Sequence, residues 1–74
     1  MPRHVYVIES TGEETGLDTV HGTAASAIHR LREYYAGCTV PRGAVARLKR
    51  GETVWAEDKE TEAYEGCARK VLVW

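Results

Sequence analysis

With 74 residues, 10 basic and 11 acidic side chains and a formal charge of −1, the chain is sized for one small domain with no bulk attraction to nucleic acid or anionic membranes. A chain this short buries only about 60–65% of the surface it exposes when unfolded, which leaves little room for a deep pocket with supporting shells and weighs against an enzyme. No stretch approaches the ~18 apolar residues of a membrane span, and Met1-Pro2-Arg3-His4 leads into a strand pattern without the apolar region of a secretory leader. The expected compartment is the cytosol of the cell that makes it.

Strand spacing comes first. His4 to Glu9 is rich in β-branched and aromatic residues, with Val5 and Val7 on one face and His4, Tyr6 and Ile8 on the other. Both faces are apolar, so with one helix available the second face is left to solvent or to a partner. Ser10 to Gly16 combines small hydroxyl residues, two Glu and two Gly, the composition of a hairpin tip. It lacks the Lys and the helix start that a phosphate-binding loop requires. Leu17 to His21 can return as a second, antiparallel strand.

Thr23 to Gly37 carries the helical period of the chain. Ala24, Ala27, Ile28, Leu31 and Tyr35 make one apolar stripe, with Ser26, His29, Arg30, Arg32 and Glu33 on the other side. Thr23 is the expected N-cap and Gly37 the expected left-handed stop. Beyond it, Pro41 pushes Val40 to an extended conformation. Ala44 to Arg50 admits a short helix, because Val45 and Leu48 lie three apart. A strand is preferred, because Gly51-Glu52 then makes a two-residue hairpin turn that sets Arg50 opposite Thr53, Leu48 opposite Trp55 and Ala46 opposite Glu57. Asp58 to Gly66 is acidic and reads as a solvated loop carrying Tyr64, and Cys67 to Trp74 is a last strand with two apolar faces. The predicted fold is α+β: a small antiparallel sheet of four to five strands with one α-helix on one face, in the order β-β-α-β-β-β.

Catalytic signatures are missing. No nucleophile elbow surrounds Ser10 or Ser26, and His4, His21 and His29 have no adjacent carboxylate whose spacing suggests a base and its orienter. Cys38 and Cys67 lack a Cys-x-x-Cys partner, so two thiols are expected, with a disulfide the alternative if their loops meet. No ligand pair has the short spacing of a structural metal site, and neither a metal nor a cofactor is predicted. What remains is charge. Arg42, Arg47, Lys49 and Arg50 form a basic stretch, and Glu57, Asp58, Glu60, Glu62 and Glu65 an acidic one. Glu65 aside, these residues and the outer helix residues His29, Arg30, Glu33 and Tyr34 are the candidate partner-binding positions. The basic stretch, with Tyr6 or Trp55 to stack a base, also admits a small nucleic-acid-binding regulator.

The order of elements, from Val5 through Thr19-Val20-His21 and the Ala-rich helix to Lys59, resembles small phage-encoded anti-CRISPR inhibitors of the β-β-α-β-β kind. The resemblance includes the run Gly43-Ala44-Val45-x-Arg47-Leu48 followed by Trp55. The segment Tyr64 to Trp74 departs from that pattern by being longer and more apolar. What the resemblance implies is a non-catalytic inhibitor, encoded by a phage or mobile element and acting in the host bacterial cytosol. Its partner would be a protein subunit of a CRISPR surveillance complex, whose recognition of target DNA it blocks. A structural or accessory phage protein, homodimeric through the spare face of the first strand or through Trp74, is the remaining alternative.

Overall fold

A computed structural model describes residues 3–11 and 15–73. The chain runs β1 (Arg3–Thr11), β2 (Thr15–His21), α1 (Ala24–Tyr34), β3 (Cys38–Thr39), α2 (Ala44–Lys49), β4 (Val54–Asp58) and β5 (Tyr64–Val73). The strands form one antiparallel five-stranded sheet in the order β2-β1-β5-β4-β3. Both helices pack on the face that carries Tyr6 and Ile8. The α+β class and the antiparallel sheet therefore agree with the sequence reading. The two-residue Cys38–Thr39 edge strand was not expected, and the second helix is the alternative to which a strand was preferred. Trp74 and positions 12–14 of the anticipated hairpin tip lie outside the described residues.

Helix α1 forms where the apolar stripe predicts. Thr23, in an extended conformation, accepts a hydrogen bond on its side-chain oxygen from the Ser26 amide at 3.1 Å, and Ala24, Ala27, Ile28 and Leu31 are buried. Its end is corrected. The chain leaves the helix at Tyr35, whose amide still reaches the Leu31 carbonyl, and left-handed glycines are found only at Gly43 and Gly51 among the described residues, so Gly37 is not the stop.

The strand and hairpin expected over Ala44 to Asp58 are also corrected: Ala44–Lys49 is helix α2. Ala44 and Leu48, four apart, are both buried against the core, which a strand would also allow, but the helix brings in Val45 as well, which a strand would turn to the other face. Gly51 does not turn a hairpin but stops the helix. At φ 93° its amide donates to the Leu48 carbonyl, and the Glu52 amide donates to the Arg47 carbonyl, both at 3.0 Å. That doubled pattern is a Schellman stop, which a Gly at this offset serves as well as it serves a tight turn. Leu48 and Trp55 consequently do not pair. Leu48 is fully buried under the helices, while Trp55 stands on the opposite face of the sheet between the buried Val54 and Ala56.

The core joins Ile8 of β1, Val54 and Ala56 of β4 and Ala68 of β5 to the inner faces of both helices. Small residues let the helices lie close. Tyr35 shows how close: its hydroxyl is 2.7 Å from the Ser10 hydroxyl, and its ring lies over Gly66, where a Cβ would meet ring carbons at 2.6 and 2.7 Å. Gly66 and Tyr64 belong to β5, so the acidic loop is shorter than expected. Its turn is held by Asp58, which accepts from the amides of Glu60 at 2.8 Å and Thr61 at 3.0 Å.

Among the described residues no helix lies on the reverse face of the sheet. Val5, Val7, Val20, Val71, Val73 and Trp55 share it, as the two-faced apolar pattern of the first and last strands anticipated. Among the described residues no helix is long and apolar enough to cross a membrane.

Candidate functional site

A concavity lies where β4 and β5 meet the loop before α2. It is a groove of about 290 Å³ lined by Thr39, Val40, Pro41, Arg47, Thr53, Trp55, Glu57 and Tyr64. Strand alternation builds its floor: with Val54 and Ala56 pulled into the core, Thr53, Trp55 and Glu57 all project to the other side. A register shift between Ala56 and Glu57 sets Tyr64 opposite Glu57. The Tyr64 ring then leans on Trp55, with centroids 5.1 Å apart and planes inclined by 32°. Both aromatics remain open to solvent, Trp55 at 39% and Tyr64 at 54%. Arg47 reaches the groove from α2, and Pro41 and Val40 close its far wall.

Of the residues singled out by charge, only Arg47 and Glu57 line this groove. Arg42, Lys49 and Arg50 are exposed around α2, on a helix rather than on the strand expected for them. Arg50 is engaged by Glu52 at 2.7 Å, and the Lys49 carbonyl accepts from the Lys70 ammonium at 2.7 Å. Asp58 is committed to its turn, where the Thr61 and Glu60 amides hold its carboxyl below the usual carboxylate range. Glu60 and Glu62 are exposed on the same turn, Glu62 in a left-handed conformation at φ 61°. The α1 candidates form a separate surface on the outer side of the helix layer. His29 and Glu33 approach to 3.1 Å, and the Arg30 guanidinium lies 4.8 Å from the Tyr34 ring centroid. The twelve candidates therefore occupy three surfaces. Tyr64, Val40, Pro41, Thr39 and Thr53 were missed, and Trp55 was placed on the wrong face.

Compared with protein-family models, with curated proteins and with solved structures, the chain matches none.

Three arrangements bear on catalysis. Ser26 and His21 are hydrogen-bonded at 2.8 Å through Nδ1, but the other imidazole nitrogen, Nε2, meets the Thr19 hydroxyl at 2.8 Å, where a carboxylate would be needed to stabilise an imidazolium. The Ser26 amide is occupied by Thr23 and cannot serve an oxyanion. The relay reads as a tie between the end of β2 and the first turn of α1. The thiols are held protonated. Burial, then the charges of Asp58 and Glu65, push Cys38 up, and burial, then Glu9, push Cys67 up. They also flank β4 from opposite sides, on β3 and β5, registered against Asp58 and Trp55, so at least two strand spacings, on the order of 9.5 Å, separate them, beyond the reach of a disulfide. Both are free cysteines. No cluster of three or more metal-ligating side chains occurs among the described residues.

Proposed function

We propose that this protein is a non-catalytic protein-binding module whose anchor point is the Trp55–Tyr64 groove, and that it acts by occupying a partner. The observation that carries this reading is the stacked, solvent-open aromatic pair at the edge of a concavity with one cation and one carboxylate on its rim. Trp, Tyr and Arg are the residues that most often supply the energy of protein interfaces, and an apolar centre with a mixed-sign polar rim is their usual anatomy. A volume of about 290 Å³ fits one apolar or aromatic side chain of a folded partner. The partner class implied by the order of elements is a protein subunit of a CRISPR surveillance complex, with inhibition of DNA recognition as the outcome and a phage or mobile element as the source.

The test is calorimetric titration of the protein into a purified CRISPR surveillance complex. Wild type is expected to bind stoichiometrically. Trp55→Ala and Tyr64→Ala are each expected to weaken binding by about tenfold or more, the loss typical of an anchor residue. Glu60→Lys with Glu62→Lys, away from the groove, is expected to leave it within about threefold, as rim charges do. Binding that is indifferent to both aromatic variants rejects the groove, and absence of binding rejects this target class.

One observation favours a second reading. Arg42, Arg47, Lys49 and Arg50 all lie on or beside α2, next to aromatics that could stack a base. Glu57 in the groove and the acidic turn beside it oppose phosphate. Titration of mixed-sequence single-stranded DNA and RNA at low and moderate salt separates the readings, since four cations give binding that falls steeply with salt.

A further inference from the structure

We infer that the groove takes its partner by strand addition: an extended segment of the partner protein pairs with the edge of β4 at Trp55, along the row that β3 leaves at Thr39. The inference rests on the groove being the anchor point proposed above and names what enters it. β3 pairs with β4 only through Cys38 opposite Asp58 and Thr39 opposite Glu57. Main-chain groups of an extended strand point alternately to its two neighbours. The Asp58 amide donates to the Ala63 carbonyl at 2.8 Å, toward β5, whereas the Lys59 amide reaches the Gly37 carbonyl at 3.4 Å, just ahead of β3. Glu57 and Trp55, in step with Lys59, therefore aim their N–H and C=O toward the β3 side. The extra residue of the nearby irregularity, Glu65, lies on β5, so the alternation of β4 is unbroken. One more antiparallel step would set Pro41 opposite Trp55, and proline has no N–H to give. The chain bends away instead, with Val40 packed against the core and α2 following in the helix layer. Among the described residues no main-chain hydrogen bond from a loop residue meets Trp55.

The open edge and the aromatic stack coincide at one residue, and that fixes the occupant. In an antiparallel pair the two opposed residues share a face. The segment residue that exchanges hydrogen bonds with Trp55 thus lays its side chain on the Trp55–Tyr64 stack, where the groove holds one apolar or aromatic side chain. The charges set the direction. Glu57 lies on one side of Trp55, and Arg47, whose carbonyl takes the Glu52 amide at 3.0 Å, comes in from the other. Both line the groove, yet neither has an ion-pair partner among the described residues. A segment antiparallel to β4 starts near Glu57 and ends near Arg47. It therefore carries a basic residue toward its N-terminal end, the aromatic or apolar anchor at its centre and an acidic residue toward its C-terminal end. Main-chain bonds supply affinity in this mode of recognition, and the pocket and end charges supply selectivity.

The probe is a short blocked peptide of alternating valine and threonine, with tyrosine at its centre, lysine at its N-terminal end and glutamate at its C-terminal end. Its control is the same peptide N-methylated at the tyrosine, which keeps every side chain and removes the N–H that Trp55 accepts. Nuclear magnetic resonance reads both binding and amide exchange. In the free protein the Trp55 amide is expected to exchange about tenfold or more faster than those of Val54 and Ala56, and to become protected when the peptide binds. N-methylation and Trp55→Ala are each expected to weaken binding by about tenfold or more. Exchanging the peptide's lysine and glutamate should weaken it by about threefold or more at low salt. A Trp55 amide already protected in the free protein overturns the inference, as does a peptide that shows no binding at about 1 mM. An exchanged peptide that binds unchanged overturns the assigned direction. An N-methylated peptide that binds within about threefold overturns strand addition; if Trp55→Ala still removes that binding, the groove stands as the anchor. Binding indifferent to Trp55→Ala overturns both.

Discussion

A methyl group added at Gly66 would drive into the Tyr35 ring, which is pinned by its hydroxyl contact to Ser10. Gly66→Ala is therefore expected to destabilise the fold by about 1–3 kcal/mol in urea titration, the usual cost of overpacking. The double variant with Tyr35→Leu should recover part of that loss. Asp58 sets a different expectation. Its carboxyl is held below the ordinary range by two backbone amides, so the folded state binds a proton less readily than the unfolded one. The stabilisation is present above the unfolded carboxylate pKa and is lost as pH falls through the depressed folded value. Asp58→Asn should thus melt below wild type at neutral pH, and the gap should narrow as the scans move toward pH 2–3. The thiols give a chemical check. With both held protonated by burial, Cys67 and Cys38 should label slowly at pH 7, Cys67 the slower, and faster as the pH becomes alkaline. At this scale the sequence was a partial guide. Charge runs marked Arg47 and Glu57 but could not rank them above the ten other candidates. Tyr64 was hidden inside an acidic stretch whose charge suggested a loop, when its pairing partner lay on another strand.

The elements explain which errors were avoidable. The stripe from Ala24 to Tyr35 has one periodic solution, and α1 follows it. Ala44 to Arg50 has two, because in seven residues a spacing of three or four is nearly as compatible with a half-buried strand as with a helix turn. What decided for the helix was tertiary: Val45 packs against the core along with Ala44 and Leu48, and Gly51 could end a helix as readily as turn a hairpin. This gives a sharp test. Gly51→Ala forces a side chain into the left-handed region at the stop and should cost about 1 kcal/mol, with the helical signal reduced. Glu62, at φ 61°, is the converse case. Replacing it with Gly relieves a left-handed non-glycine residue and should stabilise the turn by a few tenths to about 1 kcal/mol in the same measurement. The charges of the acidic stretch would be reduced without harm to the fold.

For the whole molecule, the sheet with helices on a single side was legible in the first and last strands, whose faces are apolar on both sides. No residue pattern said what would cover the second side, since solvent, a copy and a foreign protein leave the same alternation. If a copy covers it, folding and association are linked, and the melting temperature should climb as protein concentration is raised, which differential scanning at a series of concentrations reads directly. The order β2-β1-β5-β4-β3 has one more consequence, and it concerns time. The two longest strands, which meet at the centre of the sheet, are separated by nearly the entire chain, with Arg3 registered against Val73. Only the flanking β1–β2 and β4–β5 hairpins can form from neighbours. On the ribosome, the middle of the sheet must wait until β5 has emerged, so an early hairpin spends most of synthesis with both of its broad surfaces bare. Such a chain is a slow folder for its size, and a permutant that splices β5 directly onto β1, opened at the Glu60–Glu62 turn, should refold faster at unchanged stability.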